Sequence, residues 1–87
     1  MITAENIIKS INDNRQELIS KYFALKAKKQ KITQAIMAGC ETKEESYRLW
    51  NEREELAYEV SELFTAINDL GNALGHLGHS VETFWGK

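Results

Sequence analysis

Residues 49–84, LWNEREELAYEVSELFTAINDLGNALGHLGHSVETF, decide the architecture of this chain. Counting by alternating fours and threes from Leu49 lands on Arg53, Leu56, Val60, Leu63, Ile67, Leu70, Leu74, Leu77, Val81 and Phe84, so only Arg53 breaks an apolar a/d heptad pattern. An apolar stripe of period 3.5 sustained over five heptads specifies a helix with a packed seam, and no strand or loop carries that spacing. Upstream, Ala4, Ile8, Ile11, Arg15, Leu18, Tyr22, Leu25, Lys29, Ile32 and Ile36 repeat the spacing with a narrower stripe that Arg15 and Lys29 interrupt. These seam cations read as polar layers that set register. A different reading makes Arg15, Lys29 and Arg53 ligands for a small anion held between copies of the chain.

Between the two stripes lies Ala38-Gly39-Cys40-Glu41-Thr42. Gly39 suits the positive-φ stop of a helix. Thr42 followed three residues later by Glu45 has the form of a capping box, and Glu41, Glu44 and Glu45 favour the positive end of the helix that starts there. A stop and a start this close send the second helix back along the first. The expected fold is therefore all-α, a single helical-hairpin domain over residues 1–87. It has a helix at about 4–38, a turn at 39–41, a helix at about 43–85 and a C-terminal overhang at about 78–87. Two stretches of weak helix formers, near 12–14 and 68–72, are where the helices would bend if they bend at all; the unbroken heptad phase favours continuity.

Composition agrees with long helices and little turn chemistry. The 87 residues include no proline and five glycines, where ordinary usage gives about four prolines. With 43% apolar and 28% charged residues and a net charge of -2, the chain is neither disordered nor a basic nucleic-acid binder by composition. The single cysteine, Cys40, forms no internal disulfide, and Met1-Ile2-Thr3-Ala4-Glu5 lacks the basic and apolar regions of a secretory leader. No stretch reaches the roughly 18 apolar residues of a membrane span. The expected location is the cytoplasm.

Charge is distributed unevenly. Residues 21–31 hold five lysines and no acid, whereas residues 41–62 hold eight glutamates against Lys43, Arg48 and Arg53, a balance of -5. Folding at about residue 40 sets these blocks side by side, which predicts ion pairs between the arms that fix their orientation. Lysines so engaged make poor phosphate ligands. Lys21, Lys26, Lys28 and Lys31 nevertheless form the stripe by which a dimer of hairpins would touch RNA phosphates.

The flank of the second helix carries the strongest functional signal. Trp50, Ala57, Phe64, Gly71, Gly78 and Trp85, each following a d position, are aromatic or small and uncharged, whereas Glu5, Asn12, Ile19, Lys26 and Thr33 occupy the same flank of the first helix. Such a face is wider than one partner helix covers, so Trp50, Ala57, Phe64, Gly71 and Gly78 are expected to meet a second copy, giving a homodimeric four-helix bundle. Val81, Phe84 and Trp85, on the overhang, are the candidate contacts with a foreign protein.

Catalytic and metal chemistry is weakly represented. His76, His79 and Glu82 stand one turn apart on a continuous helix, but the order His-x-x-Glu is the reverse of the di-iron motif and occurs once. Cys40 is surrounded by Glu41, Glu44 and Glu45, which oppose thiolate formation. The glycines at 71, 75 and 78 lack the strand and the Gly-Lys-Ser/Thr of a phosphate loop. The sequence thus implies no enzyme, cofactor or metal. It points to a self-associating protein-binding module of the inhibitor or adaptor kind, a class that includes small virus- and plasmid-borne proteins. The alternatives are the RNA-binding hairpin dimer and the anion-sequestering oligomer.

Overall fold

Two threonines start the two helices of this chain. In the computed structural model, which describes residues 3–86, α1 runs Ala4–Ala38 and α2 runs Lys43–His76. The Thr3 hydroxyl accepts from the Asn6 N–H and the Thr42 hydroxyl accepts from the Glu45 N–H, each at 3.1 Å, satisfying one of the unpaired donors at each helix start. At the end of α1, Gly39 takes φ +97° and its N–H returns to the Ile36 carbonyl at 3.1 Å. The helices pack antiparallel as a hairpin, and no strand occurs among the described residues. Both helices run unbroken through the weak stretches at 12–14 and 68–72.

The molecule is a thin slab of 59 × 23 × 14 Å with a radius of gyration of 17.4 Å, against about 12 Å for a compact domain of this length. Its core is correspondingly small. Ile67 and Leu74 are fully buried, Tyr22 and Leu56 nearly so, and Arg15 joins them as the one buried charged residue among the described residues.

α2 is shorter than the heptad pattern implies, and the expected helix to about residue 85 is corrected here: it stops at His76. The cause is Gly78, whose φ of +83° reverses the chain. The Gly78 N–H donates to the Gly75 carbonyl at 3.0 Å and the His79 N–H to the Leu74 carbonyl at 2.9 Å, which together form a Schellman stop. Leu77, Val81 and Phe84 stay in heptad phase by spacing, but only Leu77 lies at the helix end. With 35 and 34 residues the helices are almost equal in length, so α2 does not overhang α1 at the open end. Residues 79–86 instead turn back across the hairpin as an irregular strap.

The expected ion pairing between the arms is also corrected. Among the described residues the one acid–base pair within 4.0 Å is Lys9–Asp13, at 3.6 Å and within α1. The lysines and glutamates of the two blocks are mostly exposed side chains that stay hydrated, and exposed pairs gain too little to hold one geometry.

Candidate functional site

The strap lies in the groove between the helices on one face of the slab. Val81 packs at Gly71 and Arg15, where a β-carbon on Gly71 would stand 3.3 Å from Val81 Cγ2 and 3.5 Å from Arg15 Nε. Arg15 Nε donates to the Ile67 carbonyl at 3.2 Å and its Nη2 to the Glu82 carbonyl at 3.1 Å, so one guanidinium ties α1, α2 and the strap together. Farther along, the Asn68 amide engages both main-chain groups of Phe84: Nδ2 donates to the carbonyl at 3.1 Å and Oδ1 accepts from the N–H at 3.0 Å. Lys26 Nζ then donates to the Gly86 carbonyl. Gly86 is buried, at φ +74°, against the Tyr22 hydroxyl, with no room there for a side chain.

From Arg15 to Lys26, α1 advances about 16 Å at 1.5 Å per residue. The strap from Glu82 to Gly86 advances four residues, at most about 14 Å, and the long side chains of Arg15 and Lys26 span the rest. Phe84 fills the middle of the groove, its ring 5.0 Å from Tyr22 and 5.8 Å from Phe23 in edge-to-face geometry and 5.9 Å from Phe64. Aromatic pairs of this kind each add about 0.5–1.5 kcal/mol beyond the area they bury.

The expected self-association residues therefore divide. Phe64 and Gly71 lie under the chain's own strap, and Gly78 is in the turn beyond α2. Trp50 and Ala57 lie nearer the hairpin turn, past the strap's end, and Trp50 is 46% exposed. Of the overhang residues, Val81 and Phe84 face inward and half-buried, whereas Trp85 is 72% exposed.

Past the strap, the same groove is basic. Arg53 lies over the Trp50 ring at 5.6 Å and its Nε donates to the Thr33 hydroxyl at 2.9 Å, which in turn donates to the Lys29 carbonyl at 3.0 Å. Lys26, Lys29, Gln30, Thr33 and Arg53 line an open hollow of about 260 Å3. The seam cations thus part ways: Arg15 is buried on carbonyls, while Lys29 and Arg53 border the hollow.

The lysine stripe divides as well. Lys28 and Lys31 are exposed on the outer side of α1, Lys21 borders a hollow between the helices together with Glu59 and Glu62 of α2, and Lys26 turns to the strap. His76 closes α2 and His79 lies in the turn after it, so the helical series of His76, His79 and Glu82 is not formed. No cluster of three His, Cys, Asp or Glu suited to a metal occurs among the described residues, and Cys40 is half-buried at the hairpin turn. No described helix is long and apolar enough to cross a membrane.

Sequence reasoning did not assign the strap-binding roles of Asn68, Tyr22 and Phe23. The available signal was Asn68-Asp69, a polar and weakly helical pair on a helix that otherwise continues through it. No family model, curated protein or solved structure matches the chain.

Proposed function

We propose that this chain is a small, non-enzymatic, self-associating protein-binding module of the inhibitor or adaptor kind, which acts by occupying a surface of a larger protein. One observation carries this reading: the folded chain leaves too much surface in water. It exposes 6634 Å2, where a compact monomer of 10.0 kDa exposes about 5,200 Å2. Part of the excess is aromatic, since Trp50, Tyr47, Tyr58 and Trp85 are each 46% exposed or more. Aromatic residues in partly desolvated settings dominate the energetics of protein interfaces.

Self-association through the turn-proximal part of α2, Trp50 and Ala57, pairs two slabs into a four-helix bundle and hides the apolar flank the strap leaves open. Light scattering on the purified chain at micromolar concentration should give a dimer, and Trp50→Glu should give a monomer of unchanged helix content. A wild-type monomer at high concentration would refute the self-association. Phe64 is a poor probe for this test because it also packs on Phe84.

A second reading has a specific observation in its favour. Lys28 and Lys31 are exposed and have no carboxylate within 4.0 Å among the described residues, so their ammonium groups are available to phosphates. An RNA-binding dimer would lose affinity steeply with salt, with a logarithmic slope of about -0.7 per phosphate neutralised. No retention on single-stranded RNA at low salt would dismiss it.

A further inference from the structure

We infer that the face of the hairpin opposite the strap is a second self-association surface, which takes the same face of another copy with α1 of each chain lying on α2 of the other. The inference rests on the reading of the chain as self-associating. It adds a contact separate from Trp50, which stands about half a turn from Glu59 around α2 at 100° per residue.

This face has a groove of its own. Lys21 and Leu25 of α1 and Glu59, Glu62, Leu63 and Ala66 of α2 line an open hollow of about 350 Å3. By helical phase they lie about 100–160° round their helices from Lys26 and Phe64, which meet the strap. None of the six joins the strap's hydrogen bonds or ring contacts. Leu25 and Leu63 are half-buried, as are Leu18 and Ile32, seven residues to either side of Leu25, and Leu70, seven beyond Leu63. Residues seven apart repeat within about 20° of phase, so these side chains form two adjacent apolar rows.

Area and charge name the occupant. At 14 Å thick the slab is a single layer of helices, and a helical core is closed by a second layer. The chain exposes 6634 Å2, about 1,400 Å2 more than a compact monomer of its mass. A standard interface takes about 800 Å2 from each partner, so the Trp50 contact alone does not use up the excess. The two rims of the hollow are opposite in sign, Lys21 on α1 and Glu59 and Glu62 on α2, and no acid–base pair between the arms comes within 4.0 Å among the described residues. Another copy of the chain carries the complementary rims.

Sign also fixes the orientation. Residue 21 is the midpoint of α1, and Glu59 is next to the midpoint of α2. A two-fold axis crossing the helices sets Lys21 on its own counterpart and the glutamates on theirs. A two-fold axis parallel to the helices instead places α1 over α2 of the other copy, with Lys21 of each chain level with Glu59 and Glu62 of the other. Like charges brought together cost more than rim pairs gain, so the charges choose the orientation while the apolar rows supply the buried area.

Sedimentation equilibrium of full-length Trp50→Glu, from about 10 µM to about 1 mM, isolates this contact. The chain should pass from monomer to dimer over that range, and raised salt should weaken the dimer. Two charge reversals in this background, Lys21→Glu and the pair Glu59→Lys with Glu62→Lys, should each weaken it at least about tenfold. Mixed in equal amounts, the two reversed chains should recover a dimer, because each then meets rims of opposite sign. A Trp50→Glu chain still monomeric at about 1 mM, reversals that dimerise as their parent does, or a mixture no better than its components overturns the proposal. If a reversed chain loses its helical signal, carbodiimide coupling in a mixture of isotopically labelled and unlabelled Trp50→Glu chains takes its place. Links from Lys21 to Glu59 or Glu62 that join a labelled to an unlabelled chain are expected, and links confined to single chains overturn the contact. Wild type at micromolar concentration reports the Trp50 contact separately. A monomer there with a dimer of Trp50→Glu at about 1 mM fails the Trp50 contact alone, and the reverse pattern fails only this one.

Discussion

Asn68 and Phe84 are sixteen residues apart and exchange two hydrogen bonds, at 3.1 and 3.0 Å, between one side-chain amide and the main-chain N–H and carbonyl of one residue. An asparagine amide offers a donor and an acceptor on the same edge, so it pairs with both main-chain groups of one strap residue. This single residue satisfies both main-chain groups of Phe84, at the point where its ring enters the groove.

Asn68→Ala should therefore release the strap while leaving the helices in place. Two bonds are lost and two half-buried main-chain groups are left to find water, a cost of about 1–3 kcal/mol. Hydrogen exchange should show the Phe84 amide losing its protection, with far-UV circular dichroism nearly unchanged. Asn68→Asp should be no better, because a carboxylate accepts from the N–H but faces the Phe84 carbonyl with a second acceptor.

The glycines late in α2 and in the turn after it should respond to alanine in three different ways. Gly75 has open space where a β-carbon would stand, so Gly75→Ala should stabilise the chain by about 0.5–1 kcal/mol through helix propensity. Gly71→Ala should gain less, since its methyl group presses on Val81; in a Val81→Ala background most of the propensity gain should return. Gly78→Ala should destabilise by about 1–2 kcal/mol, because φ of +83° is costly for any L side chain. Urea unfolding midpoints of the three variants decide the order.

Arg15 is buried with hydrogen bonds to two carbonyls from different elements. Arg15→Met keeps much of the volume and deletes both charge-assisted bonds, one of them to a strap carbonyl outside the helices. Its expected cost is about 1–3 kcal/mol, measurable by thermal or urea unfolding. Arg15→Lys should not restore the loss, because one ammonium does not reproduce the planar fork that spans both acceptors.

On the outer side of α2, Glu62 stands one turn from Tyr58 and raises its phenol pKa above the ordinary 10.0, by hydrogen bonding first, by its negative charge and, least, by burial. Neutral phenol is thus favoured in the folded state. This contribution to folding is fully present below pH 10.0 and is lost as pH rises through the raised value. In Glu62→Gln, an NMR titration of the Tyr58 ring carbon should show the midpoint falling back toward 10.0.

Helix identity, the hairpin turn and the antiparallel arrangement were legible because they are written locally. Apolar spacing marks the seam, while Gly39, Thr42 and Glu45 mark the reversal within a few residues. The end of α2 was not legible in the same way. Val81 and Phe84 keep heptad phase across Gly78, so periodicity alone extends the helix, and only the Schellman bonds at Leu74 and Gly75 stop it.

The sequence by itself determined that the second arm carries more apolar flank than the first arm covers, since that follows from residue order and helical geometry. What lies on that flank was decided by tertiary structure. Arg15, Asn68 and Lys26 are scattered along the chain, and only folding brings their donors and acceptors into one line on the strap's main chain. Periodicity records which side of a helix a residue occupies, but not which distant peptide group its side chain will meet.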